Sequence, residues 1–212
     1  NKPDIRKFTR DVVTRSKSKK WQRIGKRVAD LHRKGIPVLL GTRTVEASEA
    51  ASAELTRLGI AHDVLNARQN ADEAAIIAQA GQLGSVTVAT NMAGRGADIK
   101  IQDLVQELGG LHVVLSESHD SRRVDRQLEG RCGRQGDRGQ VEVYLSLDDE
   151  LLSSRDARWA RRFAKVLLIF GPRASGFVIR RRQKKMERMH ARMRYDLLEA
   201  DRSLGSLLAV SG

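Results

Sequence analysis

The middle of the chain alternates between two hydrophobic periods, and this alternation limits the possible folds more than any other feature of the sequence. Residues 36–40, Ile-Pro-Val-Leu-Leu, form a short apolar run ending in Gly41-Thr42, and residues 45–58 then carry small and apolar side chains at helical spacing up to Gly59. The unit recurs. An extended run over 62–65 leads to a helical pattern over 71–80, and Val86 to Thr90 leads to a glycine-rich stretch over 92–98. Residues 111–116 lead to a helix starting near Ser121, and residues 141–146 close the series. Five short strands separated by helices predict an α/β domain, with a parallel sheet covered by helices on both faces.

The flanks differ from this middle in both pattern and charge. Residues 18–34 read as a basic amphipathic helix with Trp21, Ile24, Val28 and Leu31 on one face. Another helix is expected over about 156–170, and Gly171-Pro172 separates it from a third over 177–198. That third helix carries Ile179, Met186, Met189, Met193 and Leu197 as a stripe, read as a packing face, with a membrane or partner-helix contact as the second choice. Residues 1–35 hold 13 Lys/Arg against 3 Asp/Glu, residues 36–152 hold 11 against 18, and residues 153–212 hold 15 against 5. An acidic middle between two basic arms argues against a simple nucleic-acid binder, whose basic residues would line the folded unit itself. Eight aromatic residues, none of them in an aromatic-rich strand, supply no base-stacking platform. Cys132 is the only cysteine, which excludes an intrachain disulfide and a cysteine-rich zinc site. No apolar run approaches the roughly 20 residues of a membrane span. The chain starts at Asn1 without an initiator Met and is expected to be a piece of something longer.

Ligands of open α/β sheets bind beyond the carboxyl ends of strands, and two loops here are expected to lie there. In the first, over 89–99, Gly94 and Gly96 let the backbone approach a phosphate or a neighbouring lobe, and Arg95 adds positive charge. Asp98 offers a carboxylate for a ribose hydroxyl or a conformational latch. The second loop, over 127–137, carries Arg131 and Arg134 with Gly130, Gly133 and Gly136 around them. Spacing of three is expected to put both guanidinium groups on one side of a helical turn. Such a pair can neutralise the charge developing on a transferred γ-phosphoryl group, the arginine-finger role. A glycine turn with a surface ion pair and a solvated basic turn are the bland alternatives, and two such loops on one sheet outweigh them. No Gly-x-x-x-x-Gly-Lys-Ser/Thr phosphate loop occurs, nor an acidic pair placed after a strand to hold a metal. Finger arginines without a phosphate loop describe half of a two-lobed motor.

These loops resemble motifs V and VI of superfamily 2 helicase-type motors, and specifically those of the SecA preprotein translocase ATPase family. Further resemblance lies in Gly41-Thr42 with Val45-Glu46, Val64-Leu-Asn-Ala67, residues 74–81, Ser121-Arg-Arg123 and Tyr144-Leu-Ser-Leu-Asp148. It runs nearly continuously from Asn1 to Leu152 and weakens beyond, where residues 180–201 resemble the start of the family's long scaffold helix. The resemblance implies a RecA-like fold, the second nucleotide-binding domain of such a protein. The implied organisation is an entry segment and basic helix over 1–35, the RecA-like core over 36–152 and a helical extension over 153–212. The resemblance also implies that Arg131 and Arg134 reach the phosphates as catalytic groups and that Asp98 contacts ATP. Arg95, between Gly94 and Gly96, would couple the loop to the nucleotide, and Gln135 would relay nucleotide state to the lobe interface. Magnesium is expected to be held by the missing first lobe. Three departures stand out: Ala97 replaces a usual Thr, Glu129 replaces a usual Arg, and the 99–109 connection is short.

The reading that follows is the second motor domain of a SecA-type ATPase, coupling ATP hydrolysis to protein translocation and inactive without its first lobe. Implied partners are that lobe, an unfolded preprotein, a translocation channel and the membrane surface, with a cytoplasmic protein attached to the inner face of the cell membrane. If Gly212 is a natural end, the protein is a truncated SecA-like paralogue. The alternatives are the equivalent lobe of an RNA or DNA helicase, although nucleic acid is not favoured, and a non-catalytic module that keeps the fold alone. Of the remaining polar residues, the five histidines lack metal-ligand spacing, and no metal site is expected. His119 precedes the arginine helix and could position its loop. Cys132 is expected to be a small residue in a tight turn, with no activating partner.

Overall fold

A computed structural model describes residues 5–9, 11–65, 73–90, 98–153, 157–169 and 171–210. Its strands are β1 (Lys7–Phe8), β2 (Val12–Thr14), β3 (Val38–Thr42), β4 (Asp63–Leu65), β5 (Val86–Thr90), β6 (Leu111–Leu115) and β7 (Gly139–Ser146). They form one parallel sheet in the order β1-β7-β6-β3-β5-β4, with β2 also pairing β7. The helices are α1 (Lys17–Arg33), α2 (Val45–Arg57), α3 (Glu73–Gln79), α4 (Asp103–Glu107), α5 (Arg122–Glu129), α6 (Glu150–Ser153), α7 (Arg158–Leu167) and α8 (Pro172–Val210). The expected parallel α/β architecture with a helical C-terminal extension is the one observed. Two short strands and the one-turn helices α4 and α6 are additions to what the hydrophobic pattern predicts.

Alternation along each strand sorts its side chains to two helical layers. Val38, Leu40, Val86, Val88 and Val114 face α1 and α2, where Ile24, Val28, Leu31, Ala51 and Leu55 meet them. Leu39, Ala89, Leu111, Val113, Leu115 and Val141 face the opposite way, against Ile77 of α3 and Leu128 of α5. Each aliphatic side chain buried in these layers contributes roughly 1.5–3 kcal/mol relative to exposure. The helices start where sequence allows it. Ser16 Oγ accepts from Lys19 N at the head of α1, and Thr44 Oγ1 accepts from Ala47 N at the head of α2.

A third cluster attaches the C-terminal helices. Val13 of β2 and Leu145 of β7 pack with Leu147, Leu151, Leu152, Ala164 of α7 and Ile179 of α8. Polar contacts add to it: Ser175 Oγ donates to Ala164 O at 2.8 Å, and Arg180 pairs with Asp11 at 2.6 Å. Of the expected apolar stripe on α8, Ile179 is buried and Met186 half-buried against this cluster, whereas Met189, Met193 and Leu197 are exposed. The stripe therefore packs only over its first two turns.

Candidate functional site

The arginine loop begins where α5 stops. Gly130 caps the helix, and Gly133 then takes a left-handed conformation (φ 67°, ψ 30°) before the 3-10 turn Arg134–Gly136. Arg131 and Arg134 consequently do not share one helical turn, as their spacing alone predicts, because the left-handed residue between them interrupts the helix. A side chain there is strained and crowded: a Cβ on Gly133 would lie 2.0 Å from Cγ of Arg6, which would have to move. Arg6 itself donates from Nη1 to Glu129 O at 2.9 Å, placing a cation on the last carbonyls of α5, where the helix dipole favours it.

Arg134 is held from two sides. Its Nε donates to Gly130 O at 2.9 Å, and its Nη1 reaches Asp98 Oδ1 at 2.8 Å. Both side chains of the ion pair are well exposed, 39% and 50%, so the pair is weak and open to exchange with an incoming ligand. Arg131 lies deeper, beside Leu65, Ile77, Ala80, Ile99 and Leu128. Burial and then Arg134 push its pKa down, with Glu73 and Asp98 opposing. It stays a cation at neutral pH, as an arginine must. Two guanidinium groups held near one exposed carboxylate make a spot suited to a polyanion carrying a hydroxyl group.

The loops are not where a parallel sheet usually binds ligands. Ile99 packs with Ile77 and Ala80 on the α3 and α5 face, and a Cβ on Gly81 would strike Lys100 O at 2.0 Å. The arginine loop follows α5, not a strand, and α5 has already carried the chain back toward Gly139, the first residue of β7. Asp98, Arg131 and Arg134 thus sit on this helical face, toward the amino ends of the strands. Gly94, Arg95 and Gly96 lie outside the described residues, as does the side chain of Gln135.

Nearby polar residues have structural explanations. Glu129, 7% exposed, has its carboxyl raised by burial, against the pull of Arg122 and, more weakly, of Arg6 and Arg126, with Asp125 adding to the rise. Cys132 is buried, with Sγ toward Glu129 O, and a Cβ on Gly139 would lie 2.8 Å from Cβ of Cys132. His32 bonds Gly84 O and His62 bonds Ser52 Oγ, each at 2.7 Å, and among the described residues no metal-holding group of His, Cys, Asp or Glu occurs. Two features escaped sequence reasoning. Arg6 capping α5 is one, 123 residues away in the chain. The other is a buried cluster of His119, Asp125 and Gln183, of which only His119 could be singled out, from its place before the arginine helix.

Comparison with known proteins yields one family. A family model described as the SecA P-loop domain matches residues 3–106 and 101–167. Protein translocase subunit SecA 2 of Bordetella avium (strain 197N) is 44% identical over 100% of this chain and 33% of its own length. Protein translocase subunit SecA of Lawsonia intracellularis (strain PHE/MN1-00) is 56% identical over 72% of this chain and 18% of its own. The chain therefore spans a third or less of these relatives. Among solved structures, the E. coli DEAD-box protein SrmB superposes with a TM-score of 0.56 at 20% identity, covering 74% of this chain and 87% of that one. T4 UvsW does so with a TM-score of 0.50 at 17% identity, over 68% of this chain and 33% of that one. Both share the fold.

Proposed function

Because the chain belongs to the SecA family, we propose that it is the second motor lobe of a protein-translocating ATPase, with residues 36–152 as its core and 153–212 as a helical extension. One observation carries the reading: Asp98 and Arg134, 36 residues apart, meet at 2.8 Å with Arg131 beside them. When a first lobe presents ATP, Arg134 exchanges Asp98 for the γ-phosphate and stabilises the charge that develops as the phosphoryl group leaves. Arg131, less exposed and fixed by its apolar surroundings, holds the phosphates in register, and Asp98 is freed to accept from a ribose hydroxyl. Gly94 and Gly96 let the loop approach the nucleotide, Arg95 couples it to phosphate charge, and Gln135 relays the nucleotide state to the lobe interface.

The donor set fits a nucleotide, since guanidinium groups match phosphate oxygens and a carboxylate matches a hydroxyl. It does not fit a divalent cation, which the two arginines beside Asp98 would repel, and magnesium belongs on the first lobe, where it neutralises the phosphates. This chain, which has no phosphate loop, is inactive alone. The whole protein moves an unfolded preprotein through a channel while attached to the inner face of the cell membrane from the cytoplasm. In keeping with peripheral attachment, no helix among the described residues is long and apolar enough to cross a bilayer.

A titration of the two-lobed protein's ATPase tests this. Unfolded precursor should stimulate hydrolysis, whereas single-stranded RNA and DNA should not at either of two salt concentrations. Stimulation by nucleic acid that falls steeply with salt, with none by precursor, would replace the translocase with a helicase while leaving the arginines in their roles.

A further inference from the structure

α8 makes a buried polar contact with the loop and helix that deliver the arginines. Gln183, 4% exposed, donates from Nε2 to Asp125 Oδ2 at 2.5 Å and to His119 O at 2.8 Å. Asp125, one turn into α5, accepts on its other oxygen from His119 N at 3.0 Å and lies 2.7 Å from His119 Nδ1. A carboxylate at that distance fixes the imidazole proton on Nδ1. One amide on α8 thus closes a network that holds both the approach to α5 and its first turn. The network spans 64 residues of sequence, and nothing in the nucleotide chemistry uses it.

Between α5, α8 and the β1–β7 edge lies a cavity of about 150 Å³, lined by Leu115, Val141 and Val143 on the sheet and by Asp125, Glu129 and Gln183 on the helices. Where α5 faces this gap instead of close-packed side chains, directional bonds contribute to its orientation, and the buried amide–carboxylate bond is a strong one. α5 is also short, eight residues, and ends in the glycine turn that carries Arg131 and Arg134. A tilt at its first turn is passed directly to Arg134.

We propose that Gln183 is a positioning residue for Arg134: through Asp125 and His119 it ties the docking of α8 to the orientation of α5, so that undocking α8 withdraws the arginine loop. Arg180 pairs with Asp11 at 2.6 Å and acts on Glu129 and Asp125 of α5 only through weaker charge attraction, so it anchors α8 without a directional bond that orients α5. The two helix anchors are separable in kind.

Hydrogen exchange on the 212-residue chain tests this. Gln183→Leu should speed exchange over 119–137 as well as in the first half of α8, leaving β3 and β5 unchanged, and Arg180→Ala should speed it in α8 alone. Faster exchange confined to α8 in Gln183→Leu, or the same spread in Arg180→Ala, overturns the proposal. If Gln183→Leu loosens the whole chain, Gln183→Asn, which keeps the amide but cannot span both acceptors, is read in the same way. The functional arm rests on the motor reading above. In the two-lobed protein, Gln183→Leu should lower kcat roughly 10-fold with KM little changed, and Asp125→Asn should add nothing to that loss. Equal losses in kcat and 1/KM, or additive losses, contradict positioning. Exchange behaving as expected in a protein without any ATPase would sink the motor reading and leave the positioning intact.

Discussion

Gly133 decides where Arg134 points. Its left-handed backbone lies against Arg6, and a methyl group there meets Cγ at 2.0 Å and Cδ at 2.6 Å, near the rigid end of the side chain. Gly133→Ala should therefore cost about 1–3 kcal/mol. In a chain of this size that lowers Tm by roughly 2–4 °C per kcal/mol. An unchanged melting curve would show that Arg6 yields freely. Glu142 provides a second test at this scale, through pH. Burial alone would raise its carboxyl, but His112, with Nε2 3.2 Å away, and Arg27, at 2.6 Å, bring it down to about 2 from the ordinary 4.5. With the folded pKa depressed, its contribution is complete above the unfolded value and is lost as pH falls toward 2. Denaturant unfolding of Glu142→Gln at a series of pH values should show a shallower fall than the wild type between about 4.5 and 2. Parallel curves would contradict the assignment.

Among the elements, legibility followed how much of the pattern each carries within itself. Central strands β3, β5 and β6 are buried on both faces and read as apolar runs. Strands β1 and β2, two and three residues long, exist only because β7 offers them a paired edge, and no periodicity fits in so few residues. α8 begins at Pro172, five residues before its expected start, since proline lacks only a donor that the first turn of a helix leaves unused. α1 was legible from its apolar face, but its anchor was not. Lys20, 2% exposed, reaches Asp149 Oδ1 at 2.5 Å across 129 residues, and Asp149 also accepts from Ser146 N at 2.6 Å. Burial raises the Asp149 carboxyl while Lys20 opposes it. Lys20→Met leaves that carboxylate buried without its counter-charge and should cost about 3–5 kcal/mol, much of it recovered in Lys20→Met/Asp149→Asn. Equilibrium unfolding of the four species measures this, and a single-variant loss under about 1 kcal/mol would mean that water reaches Asp149.

At the scale of the whole molecule, the residue types of the candidate site were readable and their assembly was not. Asp98, Arg131 and Arg134 stand out by type, spacing and family resemblance, whereas their position on the α3 and α5 face depends on the packing of Ile99 against α3 and on a helix that carries the arginines back to the amino ends of the strands. The basic arms, too, are not appendages: α1 covers one face of the sheet and α8 docks beside β2. Their charge is carried on helices that pack apolar side chains on the core, along the length of α1 and over the first two turns of α8. Under the motor reading proposed above, this lobe's chemical contribution is an arginine presented to a phosphate bound elsewhere. The direct measurement of that claim is ATP hydrolysis by this chain alone, by the chain with the first motor lobe supplied, and by the same pair carrying Arg134→Ala. No turnover is expected from the chain alone and steady turnover from the pair. Arg134→Ala should lower the rate about 10³-fold with nucleotide affinity nearly unchanged. Turnover by the isolated chain, or equal losses of rate and affinity in the variant, would contradict the account.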